Sequence, residues 1–125
     1  MLILDAGAFV AVERGNREVL ARVKQELVSG RTPVTNGGVV AQVWRDGRGE
    51  QALIAKLLAN VTVTPLDDRL GRQAGMLLAR TGTYDAIDAA VVCLARDGDD
   101  ILTSDPDDLR ELARTFGAHV ELIRV

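Results

Sequence analysis

The stretch TYDAIDAAVVCLARDGDDILTSDPDDL, residues 83–109, decides the fold class because a helix, a buried strand and a second helix follow one another within it. Residues 86–95 are apolar apart from Asp88 and are long enough for a helix, whereas the apolar run ILT is short and follows a turn. Asp105 and Pro106 then supply the cap and the first turn of the next helix. Helices on both sides of a strand are typical of an α/β domain.

The rest of the chain shows the same alternation. Strands are predicted at residues 2–5 (LILD), 31–35 (RTPVT), 61–66 (VTVTPL), 100–104 (DILTS) and 119–125 (HVELIRV). Further helices are predicted at residues 16–30, 36–47, 50–58, 67–82 and 105–117. We therefore expect one α/β domain over residues 1–125, with a largely parallel sheet of four or five strands and helices on both faces.

The composition limits the class of protein. A chain of 125 residues is long enough for one domain with its own core. No apolar run approaches the roughly 20 residues that span a bilayer, and the amino terminus MLILDAGAFV has no signal-peptide pattern. The single cysteine, Cys93, cannot form an internal disulfide. These features predict a cytoplasmic protein without a membrane partner.

The net charge of −3 and the pI of about 5.1 exclude an overall basic surface of the kind that attracts nucleic acids. Such a partner would need a local patch, for which Arg14, Arg45 and Arg48 are candidates; an ordinary solvated role is the alternative. His119 is the only histidine and precedes the last predicted strand. This argues against a Ser-His or Cys-His hydrolase.

Four aspartates occupy positions where an α/β sheet collects its functional groups, after strands and at the start of helices. Asp5 ends the first strand, Asp105 follows the strand DILTS, and Asp85 and Asp88 begin the helix before that strand. At 100° per residue, Asp85 and Asp88 share one side of their helix with apolar residues. We expect both carboxylates to face a partly desolvated cleft.

Carboxylates within a few ångströms of one another repel, and a cation between them removes that repulsion. Oxygen ligands select Mg²⁺ or Mn²⁺, and such an ion supports phosphodiester hydrolysis. Each acid alone also fits a structural role at the start of a helix, and we assign Asp107 and Asp108 to that role. The conjunction of Asp5, Asp85 and Asp105 at one predicted edge is what favours a site.

Three segments resemble the motifs of PIN-domain ribonucleases, specifically the VapC-type toxins of bacterial toxin–antitoxin pairs. LILDAGAFVAVERG (2–15) resembles the family's first-strand aspartate segment, GTYDAIDAAVVCLA (82–95) its helix aspartate segment, and ILTSDPDDLREL (101–112) its T-S-D segment. Their order and spacing cover essentially the whole chain. The resemblance implies a PIN-like fold, a Mg²⁺ or Mn²⁺ site, single-stranded or loop RNA as substrate, a homodimer, and as partner a small antitoxin protein that occludes the site.

The resemblance also implies which residues act. The catalytic and metal-binding acids would be Asp5, Asp85 and Asp105, with Asp88 as an accessory. The family places a glutamate on the helix after the second strand, where this chain has Gln42. A glutamine can still present an oxygen to a water or to the substrate, but it carries no charge, so the attraction for a cation is reduced.

Two other classes of function are alternatives to the ribonuclease. Gln42 motivates a PIN-like binding module without turnover, unless Asp46 or Glu13 compensates for the lost charge. The other class is a different α/β acid site. A phospho-acceptor receiver needs adjacent acids at the first strand and a lysine near the last, but no lysine lies beyond Lys56. A haloacid-dehalogenase-like phosphatase needs a second aspartate where this chain has Gly7.

Overall fold

The computed structural model describes residues 1–45 and 51–125, which form five strands and seven helices. The strands are β1 (Leu2–Leu4), β2 (Val34–Asn36), β3 (Thr62–Thr64), β4 (Asp100–Thr103) and β5 (Glu121–Arg124). The helices are α1 (Ala6–Glu13), α2 (Arg17–Val28), α3 (Gly37–Val43), α4 (Ala52–Leu58), α5 (Asp68–Thr81), α6 (Ala86–Cys93) and α7 (Pro106–Phe116). None of these helices is long and apolar enough to cross a bilayer.

The strands form one parallel sheet in the order β3-β2-β1-β4-β5. Ile3 in the central strand β1 pairs with Val34 of β2 on one side and with Ile101 of β4 on the other. The chain winds from β1 outward to β3 and then returns to β4 beside β1, so the winding direction reverses between β1 and β4. At such a reversal the loops diverge and leave a crevice beyond the carboxyl ends of the strands.

Helices cover the sheet on both faces, because right-handed crossovers place the helices of the outward and the return winding on opposite sides. Helix α1 packs against α2, α3 and α4, whereas α5, α6 and α7 pack against one another. Strand β1 and most of β4 are buried, which explains why both are continuous apolar runs. The largest fully buried side chains include Phe9, Ile3, Leu4, Ile54, Ile101, Leu102 and Leu109. The predicted fold class is confirmed.

Several helix ends lie where the sequence predicts them. The side chain of Asn16 caps α2 and that of Asp67 caps α5, each by accepting a hydrogen bond from backbone N–H groups of the first turn. Gly82 ends α5 and Gly117 ends α7, with φ angles of 68° and 86° that favour glycine. Local capping chemistry therefore determines these boundaries.

Two helices differ from the prediction. Helix α1 was not predicted, because its apolar residues are spread around its whole circumference and give no helical periodicity. Helix α3 ends at Val43, well before the predicted end near Gly47, because the backbone of Trp44 is extended. Gly47, and Glu50 at the predicted start of α4, lie outside the described residues.

Candidate functional site

Asp5 directly follows β1 at its carboxyl end, where the winding of the sheet reverses, and is 7% exposed. Its Oδ1 accepts a 2.8 Å hydrogen bond from the Ala6 N–H and so caps α1. Its Oδ2 accepts a 2.8 Å hydrogen bond from the hydroxyl of Thr103, the last residue of β4. Both carboxylate oxygens are therefore held in place by neighbouring strands and helices.

Thr103 links Asp5 to Asp105. The Thr103 hydroxyl is fully buried, donates to Asp5 and accepts a 3.1 Å hydrogen bond from the Asp105 N–H. Asp105 occupies the predicted cap position of α7, but its side chain makes no capping hydrogen bond, and its Oδ2 accepts a 3.4 Å hydrogen bond from the Ser104 hydroxyl. The exposed Asp105 carboxylate is thus available to a ligand.

Asp85 and Asp88 are contributed by the start of α6. Asp85 caps this helix, because its Oδ1 accepts hydrogen bonds of 3.1 Å and 2.9 Å from the N–H groups of Ile87 and Asp88. Asp88 is half-buried, as expected, but Asp85 is exposed at the cap position, so the expectation of a partly desolvated carboxylate is wrong for Asp85. Burial raises the pKa of the Asp88 carboxyl to about 7, and the negative charges of Asp85 and Asp5 act in the same direction.

The pKa of Asp5 is also raised. Burial is the largest cause, and the nearby charges of Asp85 and Asp105 add to it, while the hydrogen bonds that Asp5 accepts act in the opposite direction. Asp105 likewise raises the pKa of Asp88. The structure therefore brings all four predicted acids into one electrostatic environment, although they come from three separate segments of the chain.

Asp108 belongs to this environment too, because its charge raises the pKa of Asp88. The sequence predicts for Asp108 only a structural role at the start of α7. The signal that could have identified it is its spacing of three residues from Asp105, which places both acids on one side of the helix. Asp107 instead forms an ion pair with Arg110, as befits a residue at the start of a helix.

Asn36 is a second neighbour of the site, at the end of β2 beside β1. It is fully buried, and its Oδ1 caps α3 by accepting hydrogen bonds of 2.7 Å and 3.1 Å from the N–H groups of Gly38 and Val39. Its Nδ2 has no hydrogen-bond partner among the described residues. Since Nδ2 is a donor and Oδ1 is already engaged, Asn36 adds no ligand for a cation.

The chemistry of this donor set fits a hard divalent cation, because every side chain that carries charge is a carboxylate. Across residues 1–45 and 51–125, however, no three acidic, histidine or cysteine side chains are grouped tightly enough to form a complete ligand set. A Mg²⁺ ion commonly keeps several waters and binds through one or two carboxylates. The site therefore fits an ion held by few protein ligands.

The remaining predicted residues are less closely tied to the acids. Gln42 is exposed in the last turn of α3. Arg14 follows the carboxyl end of α1 and Asp5 precedes its amino end, so that about 12 Å of helix separates them. The Arg45 guanidinium donates hydrogen bonds to two carbonyl oxygens at the end of α3, of 3.1 Å and 2.7 Å. Arg45 thus stabilises the end of that helix.

Glu13, the first of the two acids considered as substitutes for the missing glutamate, is exposed at the end of α1. It lies at the opposite end of this helix from Asp5. Asp46, the second, and Arg48 lie outside the described residues.

Replacing Asp88 with asparagine should stabilise the protein in the absence of metal, and more so at high pH. The folded-state pKa of about 7 exceeds the ordinary value of 3.8, so the folded state binds more protons than the unfolded state between these values. The contribution of Asp88 to the free energy of unfolding is therefore fully present below about pH 4 and is lost as the pH rises through 7. Thermal unfolding in EDTA at about pH 5 and pH 8 measures the effect; an equal gain at both values would contradict it.

Comparisons with known proteins identify the fold. No protein-family model matches the chain, and no curated protein matches it. A chain of the crystal structure of VapBC2 from Rickettsia felis bound to a DNA fragment from their promoter superposes with a TM-score of 0.68 at 12% identity, and the match covers 97% of each chain. At this identity the likeness concerns the fold alone. The chain therefore has a PIN-like α/β fold.

Proposed function

We propose that this chain is a Mg²⁺- or Mn²⁺-dependent endoribonuclease and the toxin of a VapBC-type toxin–antitoxin module. The observation that carries the proposal is the convergence of Asp5, Asp85, Asp88 and Asp105 at the reversal of the sheet. Asp5 is buried and Asp88 half-buried beside the charges of the exposed Asp85 and Asp105, which lowers stability unless a cation compensates for the repulsion. The three sequence motifs and the fold shared with a chain of VapBC2 support the same function.

The proposed mechanism assigns a role to each acid. Asp5, Asp85 and Asp105 would hold the cation, one or two of them directly and the others through its bound waters, and the Thr103 hydroxyl fixes Asp5 through a 2.8 Å hydrogen bond. When bound, the ion would neutralise the charge that develops at the phosphodiester. The half-buried Asp88 carboxyl would accept a proton from the attacking water once the bound cation offsets the effects of burial and of the neighbouring negative charges, which raise its pKa.

RNA, in single-stranded or loop form, is the proposed substrate, and the protein would act in the cytoplasm as a homodimer. Because the protein is acidic overall, its affinity for phosphates would come mainly from the bound cation. Gln42, Arg14 and Arg45 are proposed only as weak contacts to the substrate. The hydrogen bonds of Arg45 to helix carbonyls compete with such a contact.

A small antitoxin protein is the proposed partner, and the structure offers a surface for it. A groove of about 350 Å³ runs between α2 and α4, lined by Leu20, Val23, Leu27, Leu53, Leu57 and Asn60. The only two lysines of the chain, Lys24 and Lys56, border this groove. An amphipathic helix with acidic flanks would fit it. A small protein encoded next to this gene should co-purify with the chain and inhibit its cleavage of RNA.

The function is tested by replacing Asp85 with asparagine. Asparagine caps a helix as well as aspartate does, so α6 should remain folded while the site loses a charge. Cleavage of RNA in Mg²⁺ or Mn²⁺ should be abolished by EDTA in the native protein and reduced by about 100-fold or more in Asp85→Asn. The matched control is Asp67→Asn, which changes the cap of α5 and should leave cleavage unchanged. Equal cleavage by the native protein and Asp85→Asn would refute the assignment.

A binding module without turnover is the second candidate, favoured by Gln42 and by the lack of a complete ligand set among the described residues. If the protein is such a binding module, we expect the native protein to cleave no RNA in either Mg²⁺ or Mn²⁺. In that case Gln42→Glu, which restores the charge of the family pattern, should create a metal-dependent activity. Robust cleavage by the native protein excludes this candidate.

A further inference from the structure

Tyr84 stands beside the acid cluster with almost no contact to the rest of the protein. Its side chain is 93% exposed, and it directly precedes Asp85, so their Cα atoms are about 3.8 Å apart. The chain has few aromatic residues, and the others are more buried: Phe9 is fully buried, Trp44 is half-buried and Phe116 is 37% exposed. The most exposed of the tyrosine, tryptophan and phenylalanine side chains therefore belongs to the residue that directly precedes Asp85.

The backbone that carries Tyr84 is fixed on both sides. Before it, the N–H groups of Gly82 and Thr83 donate to the Leu78 carbonyl, at 2.8 Å and 3.3 Å. The hydroxyls of Thr81 and Thr83 are also hydrogen-bonded, at 2.7 Å. After it, the Asp85 side chain caps α6. The ring is thus presented from a short, well-anchored connection between α5 and α6, so little backbone entropy would be lost when a ligand contacts it.

Aromatic stacking suits a ligand that an acidic site repels. Carboxylates repel the phosphates of a nucleic acid, so contacts other than ion pairs must contribute to its binding next to the site. A base stacked on an aromatic ring gains affinity without any charge, and every base offers a face for it. Stacking requires an unpaired base, because the bases of a duplex already stack on one another.

We propose that Tyr84 is a substrate-binding residue that stacks on an unpaired base of RNA next to the scissile phosphate. This inference rests on the proposed ribonuclease function. It implies that the enzyme selects single-stranded or looped RNA because the tyrosine ring and the acids must be engaged together. It also implies tolerance of sequence at the stacked position, since no base edge is read by a hydrogen bond.

The test measures binding of a 12-nucleotide single-stranded RNA that contains one 2-aminopurine. Binding of the same strand annealed to its complement is measured for comparison. Ca²⁺ replaces Mg²⁺ in both measurements to limit cleavage. Fluorescence of 2-aminopurine reports stacking. Tyr84→Ala should weaken binding of the single strand by about 5- to 150-fold, and Tyr84→Phe should bind like the native protein. Because stacking involves no phosphate, the loss should be the same factor at 50 mM and 200 mM salt.

Met76→Ala is the matched control, since Met76 is an apolar side chain on α5 that is 70% exposed. Met76→Ala should leave binding of RNA unchanged. All three variants should have the same melting temperature as the native protein. If the native protein binds and cleaves RNA and Tyr84→Ala binds it equally well, the role of Tyr84 is wrong while the ribonuclease function stands. If Tyr84→Ala forms a smaller oligomer in solution than the native protein and its affinity for RNA is unchanged, the ring belongs to a contact between protein chains instead. If the native protein neither binds nor cleaves RNA, the function fails, and the role of Tyr84 fails with it.

Discussion

Replacing Asp5 with asparagine should reduce metal-dependent cleavage of RNA by about 1,000-fold, equivalent to about 4 kcal/mol of transition-state stabilisation, and should stabilise the metal-free protein at the same time. The loss of activity follows because Asp5 is the proposed metal ligand that is held most firmly, by the Ala6 N–H and the Thr103 hydroxyl. The gain in stability at neutral pH follows because asparagine removes a buried charge near Asp85 and Asp105, and we expect this to outweigh the one hydrogen bond, from the Thr103 hydroxyl, that the amide nitrogen cannot accept.

The sign of the stability effect depends on pH. The pKa of Asp5 is raised in the folded state, so the stability due to this group is complete below its unfolded value of 3.8 and is lost as the pH rises through its folded value. Asp5→Asn avoids this loss, and its gain in melting temperature in EDTA should therefore be larger at about pH 8 than at pH 4. A residue with a purely structural role would lose both stability and activity.

Asp99 provides the control for Asp5. It is also buried, but it precedes β4 at the opposite end of the sheet, where it accepts a hydrogen bond from the Arg96 N–H and pairs with the amino terminus. Asp99→Asn should lower stability and leave cleavage per folded molecule unchanged. A loss of cleavage in Asp99→Asn as large as in Asp5→Asn would remove the special role of Asp5.

Replacing Gly7 with alanine should lower the free energy of unfolding by about 1–3 kcal/mol and should also reduce cleavage by about tenfold or more. A Cβ atom on Gly7 would lie 2.5 Å from the Ser104 backbone nitrogen and 2.6 Å from its Oγ. Because a backbone atom cannot rotate away, the turn between β4 and α7 must shift. That turn leads directly to Asp105, so the shift displaces a proposed metal ligand.

Gly71→Ala is the control for Gly7→Ala. Gly71 lies within α5, and a Cβ atom there would meet nothing within 4 Å. The substitution should raise the free energy of unfolding by about 0.5–1 kcal/mol, because alanine loses less backbone entropy in a helix. Urea unfolding measures both variants. If Gly7→Ala is as stable and as active as the native protein, the close contact with Ser104 does not position Asp105.

Local sequence patterns were enough to predict most of the fold. The caps Asn16 and Asp67 and the terminal glycines Gly82 and Gly117 lie where the sequence places them, because capping depends only on residues within one helical turn. The parallel sheet follows from the alternation of elements. Helix α1 was missed because a helix buried on nearly all sides has no polar face to reveal its period.

The sequence by itself also determined which acids to consider, since Asp5, Asp85 and Asp105 each follow a strand or begin a helix. Only the tertiary structure decided how they interact. The hydroxyl of Thr103 reaches Asp5 across 98 positions of the chain, and Asp108 joins the cluster through its charge on Asp88. Burial and electrostatic coupling depend on which strands become neighbours, so no local pattern could give Asp88 a pKa of about 7 or leave Tyr84 exposed beside the site.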